Sequence, residues 1–356
     1  EAVELVGEPG VYLRLGHTEQ AKNLLNPDNL QAWDRRIDAG IDSLDAGAYF
    51  DVDARIAKHL RLSGGPRADL LWVSVDDRLA NVVPAGIAPP GALPGAGKAA
   101  DAAVLGVHAT AEYAVTSWLA PAISYGEGFR SLAAERLAEG SSKPYSRVRS
   151  VEGGLRVSAL EQRLTAKMAA FETWVANELV FEATSGGLET QNASVRRGVV
   201  ASLLARPMNW LLASFALSAT HAVFATRVAG VSHFVPNVPP VLFRGDVTAR
   251  GTLLRWKEAP LTGRVGIGYT YLSPKHLTDT IDGPADHVLN LGGALRYGKV
   301  EVGLDVYNAL DRKYADDAEV FVSNWSFRPG QQPASLATHM TAAPPRTVLA
   351  SLGLYL

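Results

Sequence analysis

The chain of 356 residues contains no cysteine, which removes disulfide scaffolds, thiolate zinc sites and cysteine nucleophiles together. It also lacks a surplus of charge. Lys and Arg number 34 against 36 Asp and Glu, a formal net of −2, so no basic field exists to hold nucleic acid or an anionic membrane surface. Aromatic residues are thin at 8%, and charged residues at 20% fall below the ~25% usual for soluble domains. Glu1 is followed by neither a basic region nor an apolar run, so a secretory leader is expected to be absent or already removed. The stretch from Pro207 to Thr226 carries no formal charge and is long enough to be tested as a membrane helix. Alternation of Leu211, Ala213, Phe215, Leu217 and Ala219 with polar or small residues favours a strand, while Leu211, Leu212, Phe215, Ala219 and Val223 also fit helical spacing.

What the sequence has in quantity is period-two alternation. Val300, Val302, Leu304 and Val306 alternate with Lys299, Glu301, Gly303 and Asp305, so an extended segment there has one apolar face and one charged or bare face. Leu289 to Tyr297 shows the same pattern, and Gly298 separates the two runs as a tight hairpin turn. The device recurs at Leu242–Gly251, Arg264–Tyr271, Phe50–Ile56, Leu71–Asp76, Leu105–Glu112, Arg163–Met168 and Thr347–Leu356. Together these predict an all-β chain of about 14 or 15 strands, most of roughly 9–13 residues, where strands of ordinary sheets average about 5–6.

Connections are expected to be short around Arg61–Pro66, Ala114–Ser117, Ser158–Glu161, Arg206–Met208, Lys257–Leu261 and Gly298. They are expected to be long around Asp77–Asp101, Glu127–Ser146, Ala225–Val241, Leu272–Asp286 and Asp311–Arg346. Tight hairpins on one side and extended loops on the other are the habit of outer-membrane barrels. Strands of ~10 residues cross a hydrocarbon layer, and a sheet in lipid has to pair every backbone group. Trp118, Trp174, Trp210 and Trp256 lie near predicted strand ends, where interfacial aromatics belong. The pattern blurs before residue 47, where Glu19–Asp34 is too long for a turn on the short side. The reading is therefore uncertain barrel strands over 1–46 and a transmembrane antiparallel β-barrel over 47–356.

Three motifs carry a resemblance to a family. Tyr125-Gly126-Glu127-Gly128-Phe129-Arg130-Ser131, at a strand end opening a long loop, resembles the YGxGFRS segment of TonB-dependent outer-membrane receptors. Val306-Tyr307-Asn308-Ala309-Leu310-Asp311-Arg312-Lys313-Tyr314 is similar to that family's penultimate-strand signature, with Asn308, Asp311 and Tyr314 at its marked positions. Pro345-Arg346-Thr347-Val348 resembles the Pro-Arg ending before the last strand, although Leu356 stands where the family usually ends on an aromatic. The resemblance implies a barrel of about 22 strands with a plugged lumen, of which this chain would be the C-terminal part. No plug domain is recognisable. It further implies residence in the outer membrane of a Gram-negative bacterium, energised uptake of a scarce ligand such as a ferric siderophore, vitamin or oligosaccharide, and TonB as partner through a plug.

The candidate residues weigh differently. Asp51, Asp53, Arg55, Arg244, Asp246, Arg250, Arg264, Glu301 and Asp305 are expected to face the lumen, as mutual ion pairs and plug contacts before a substrate site. Phe321, Trp325 and Phe327 in the last loop could stack on a flat ligand or pack among loops. Arg130 could meet a plug or ligand, but Gly126 and Gly128 read first as permitting close packing at the rim. His276, Asp279, Asp282, Asp286 and His287, and separately Asp316, Asp317 and Glu319, match no metal-loop spacing and read as solvated loops. Gly95-Ala96-Gly97-Lys98 lacks the Ser/Thr and context of a phosphate loop. With no nucleophile elbow, metal set or paired acid and base, neither an enzyme nor a cofactor is expected. The rival readings are a self-contained passive channel and a soluble all-β binding module.

Overall fold

The computed structural model describes residues 3–25, 29, 31–57, 59–78, 98–131, 144–182, 187–227, 232–257, 259–323 and 335–355. Fourteen strands form a single antiparallel sheet in which every neighbour follows in chain order, apart from two inserted hairpins. The strands are β1 (Val3–Leu25), β2 (Ala32–Ile56), β3 (Leu60–Asp77), β4 (Lys98–Tyr113), β5 (Leu119–Ser131), β6 (Tyr145–Ala159) and β7 (Leu164–Val175). A small hairpin of β8 (Glu178–Glu182) and β9 (Gly187–Gln191) follows. The sheet resumes with β10 (Ser194–Met208), β11 (Leu211–Phe224), β12 (Val241–Trp256), β13 (Ala259–Leu272), β14 (Asp286–Tyr297) and β15 (Val300–Tyr307). A second hairpin, β16 (Ala315–Ser323) and β17 (Ser335–Ala342), precedes the last strand, β18 (Thr347–Leu354). Among the described residues there is no α-helix, so Pro207–Thr226 holds the end of β10, a turn and β11.

Register decides the faces. Leu291 pairs with Val306, Leu295 with Val302, Val302 with Leu352 and Val306 with Val348, all on one side. The same side continues through Val247 opposite Ile267, Leu203 opposite Phe215 and Met168 opposite Leu155, to Ala54 opposite Leu5 at the other edge. A one-residue slip would carry every one of these side chains to the other face. Val302, Leu304 and Leu352 are 56, 51 and 71% exposed. They do not lie between two stacked sheets, which removes the sandwich form of the soluble reading. Trp118 and Trp210 stand at the short-turn end of this apolar face and Trp72 and Trp174 toward the other, giving two aromatic levels.

The turn between β14 and β15 is Gly298-Lys299, with Gly298 at φ 57°, the backbone region that glycine enters without steric cost. Three expectations need correction. Arg61–Pro66 is strand, and the turn residues described are Ala57 and His59; Pro66 fits inside β3 because the β2–β3 ladder is interrupted between Tyr49↔Arg67 and Val52↔Gly64, where a missing N–H costs least. Glu19–Asp34 is largely strand, since β1 and β2 extend far past the apolar band with only 26–31 between them. Asp311–Arg346, expected as a long connection, is partly an ordered hairpin, β16–β17; the β8–β9 hairpin after β7 was not anticipated, since it shows no long alternating run. Among the described residues β1 and β18 do not pair with each other, so the sheet has two free edges.

Candidate functional site

All nine charged residues expected on the lumen side lie on the face opposite the apolar one, as the registers of β2, β12, β13 and β15 require. They divide into two groups. Asp53 accepts from Arg61 at 2.8 Å and lies 4.0 Å from Arg55, His108 approaches Asp51 at 3.3 Å, and Arg244 grips Asp246 through two nitrogens at 2.8 and 3.0 Å. Arg250, Arg264, Glu301 and Asp305 have no ion-pair partner among the described residues. Arg250 and Arg264 are direct cross-strand neighbours, an arrangement that like charges disfavour.

A second charged cluster, outside those nine, lies on β1–β3. The Tyr12 hydroxyl lies 2.7 Å from Asp45 and also contacts Asp69, while Arg67 reaches that hydroxyl at 2.6 Å and both Asp69 oxygens at 2.9 and 3.0 Å. Arg67 also lies over the Tyr12 ring, 4.7 Å from its centre. Asp69 is only 2% exposed, so its charge is tolerated because Arg67 pairs with it. The cluster borders a cavity of about 520 Å³. Tyr12 and Arg14 escaped the sequence reading: Val11, Leu13 and Leu15 alternate with them, but Gly7 and Pro9 just before obscure the pattern.

The rim on the side of the long connections holds the family-like motifs. Arg130 donates to the Asn177 carbonyl at 3.0 Å and to Glu178 at 2.8 Å, and Arg196 reaches the other Glu178 oxygen at 2.8 Å. Glu178 is 2% exposed. Burial pushes its pKa up, but the Ser194 hydroxyl, the Arg196 charge and the Arg130 contact outweigh this and hold it below the usual carboxylate range. Arg130 thereby fastens the β8–β9 hairpin to the sheet. The expected tight packing at Gly126 and Gly128 is absent: a Cβ at Gly126 would meet its nearest atom at 4.0 Å, and one at Gly128 would meet nothing within 4 Å. Tyr125 lies on the apolar face and donates to Glu127 at 2.6 Å, and the Phe129 ring meets Tyr145 edge-on at 6.2 Å.

Asn308, buried and at φ 49°, receives the Arg312 N–H at 3.0 Å and donates to the Arg312 carbonyl at 2.9 Å. Asp311 accepts the Arg346 backbone N–H at 3.1 Å, with the Arg346 guanidinium 3.7 Å away. The Tyr314 carbonyl accepts the Ala343 N–H at 3.1 Å. These residues close the neck through which the chain leaves β15 and returns to β18. Phe321 lies in β16, stacked on His339 at 3.5 Å between centres. Trp325 and Phe327 lie outside the described residues. In the loop before β14, His276 pairs with Asp282 at 2.7 Å and stacks on Phe234 at 4.0 Å. Asp279 receives the His233 N–H at 2.7 Å and the Ser232 hydroxyl at 2.9 Å, which hold its pKa down. No group of three metal-binding side chains occurs among the described residues.

The family profile described as TonB dependent receptor-like, beta-barrel matches residues 5–309. The chain belongs to this family. Among solved structures, the ferric-catecholate import receptor Fiu from E. coli K12, in its closed form, is 16% identical with a TM-score of 0.67, over 98% of this chain and 52% of that one. The siderophore receptor PiuA from Acinetobacter baumannii is 14% identical with a TM-score of 0.71, over 99% and 53%. The ferric yersiniabactin uptake receptor FyuA from Yersinia pestis is 13% identical with a TM-score of 0.68, over 99% and 51%. At these identities the likeness establishes the fold. The chain spans about half the length of these receptors. No curated protein matches it in sequence.

Proposed function

We propose that the chain forms the C-terminal wall of an outer-membrane receptor barrel that imports a scarce ligand, a ferric siderophore, a vitamin or an oligosaccharide, with energy from TonB. The observation that carries the reading is the separation of faces: an unbroken aliphatic band on one side and, on the other, the nine charged candidates, of which four lack an ion-pair partner among the described residues. Lipid covers the first face and a water-filled or plugged lumen the second. On this reading Asp51, Asp53, Arg55, Arg244 and Asp246 are internal ion-pair members, while Arg250, Arg264, Glu301 and Asp305 await groups of a plug. The free edges of β1 and β18 call for further strands, because an unpaired edge is not tolerated in lipid. They also weigh against the self-contained channel, which needs fourteen strands to close. The long connections and the β8–β9 and β16–β17 hairpins, with Phe321, Trp325 and Phe327, form the external capture surface.

The test is uptake by cells. Deleting the coding sequence should abolish energy-dependent accumulation of one radiolabelled ligand from a panel of ferric siderophores, cobalamins and oligosaccharides, and deleting TonB should reproduce that loss. Accumulation that survives removal of TonB and of the proton gradient would instead indicate a passive pore.

A further inference from the structure

We infer that the cavity beside Arg14 is a binding site for a free organic anion with an apolar body, in kind an aryl or alkyl carboxylate arriving from the external side; this rests on the receptor-barrel reading and adds a ligand class to it. Register places Arg14 directly opposite Asp45 on one face, where an ion pair is the default outcome. Asp45 is instead held by the Tyr12 hydroxyl at 2.7 Å, and Asp69 is engaged by Arg67 at 2.9 and 3.0 Å. Both acids of the cluster are thus committed, and among the described residues Arg14 has no ion-pair partner although it lines the cavity. A free guanidinium at the edge of a cavity presents a planar fork that suits a carboxylate.

Glu127, the third carboxylate of the lining, is likewise committed, to the Tyr125 hydroxyl at 2.6 Å and Arg149 at 3.2 Å, and much of the remaining lining is apolar. Leu71, Val73 and Val104 lie on the polar face of their strands, and Leu71 and Val104 are 8 and 3% exposed. The room comes from β5. Its ladder with β4 is confined to five pairs, His108↔Gly126 to Glu112↔Ala122. Beyond them a Cβ on Gly106 would lie 3.1 Å from the Glu127 carbonyl, so β5 has stepped across the face of β4. Gly128, on the stepped segment, lines the cavity with open space where a side chain would project. About 520 Å³ is the size of a small-molecule site, and a few fixed polar groups against apolar walls are its usual composition. Arg14, Asp45, Arg67, Asp69 and Gly128 of the lining all lie on the face away from the aliphatic band, which favours a solute over a membrane lipid.

The test uses radiolabelled naphthoate and its neutral amide, measured by filtration on outer-membrane vesicles from cells expressing the full chain. Native vesicles should bind naphthoate saturably, and Arg14→Gln should weaken this about tenfold, the loss expected for one charge-assisted contact. The neutral amide should bind the native chain about tenfold more weakly for the same reason. Gly128→Leu should abolish binding by filling the space, Arg14→Lys should restore part of it, and Arg163→Gln at a distant turn should change nothing. Protease protection confirms insertion of each variant, and if Gly128→Leu fails to insert, the Arg14 pair decides. Equal binding by native and Arg14→Gln chains, equal binding of amide and acid, or no saturable naphthoate binding by the inserted native chain would overturn the site. Saturable binding without energised uptake would sink the import reading and leave the site standing, whereas energised uptake with no naphthoate binding would sink the site alone.

Discussion

At the residue scale, two positions are decided by backbone geometry that no neighbour can replace. Asn308 has a positive φ, where asparagine is better tolerated than most side chains, and its amide bonds both backbone groups of Arg312. Asn308→Ala should destabilise the folded chain by about 3 kcal/mol, from two lost hydrogen bonds at about 1 kcal/mol each and a similar backbone cost. The shift of the urea midpoint in detergent measures it. Gly65 is constrained differently: a Cβ there would sit 1.9 Å from the Phe50 carbonyl oxygen, which is backbone and cannot turn aside. Gly65→Val should therefore prevent correct pairing of β2 with β3, seen as loss of the folded band in heat-modifiability electrophoresis. Gly128→Ala, in open space, should leave that band intact.

At the element scale the β8–β9 hairpin depends on one buried carboxylate. Its folded pKa is depressed, so the stability contributed by Glu178 is present above the unfolded value of about 4.3 and is lost as pH falls through the folded value. Protection of the β8 amides relative to their intrinsic exchange rates should accordingly be high at pH 7 and fall below about pH 4, while the β12–β13 ladder, which holds no such latch, keeps its protection. Glu178→Gln should raise exchange in β8 already at neutral pH, because two arginines lose their anion. Signature residues are legible in sequence without their purpose: Arg130 was recognisable within its motif, but its partner Glu178 lies 48 positions away and no spacing rule connects them. The hairpin itself was hidden because its strands are five residues each, too short for alternation to stand out.

At the scale of the molecule the apolar band fixes the medium. Leu304→Arg, in the middle of that band, should cost about 2–4 kcal/mol of insertion free energy, measured as the fraction of chain recovered folded in lipid vesicles. Ser351→Arg, facing the other way in β18, should cost far less. Strand content, the alternation of short and long ends in the second half of the chain, and the polar or apolar side of all nine charged candidates were readable in advance, because each follows from periodicity along one strand. The turns at Arg61–Pro66 and the order at Glu19–Asp34 were not, since glycine and proline signal a turn equally well where a ladder is merely interrupted.

The sequence by itself determined that this chain is built of long strands with two unlike faces, because a side-chain period of two forces every alternate residue to the same side. Tertiary structure alone decided which charges are satisfied: Asp45 faces Arg14 across the ladder yet bonds Tyr12, and Asp246 bonds Arg244 two residues before it on its own strand. Register sets who is opposite whom, but the choice among several partners within reach depends on distances and burial that exist only once the strands are assembled.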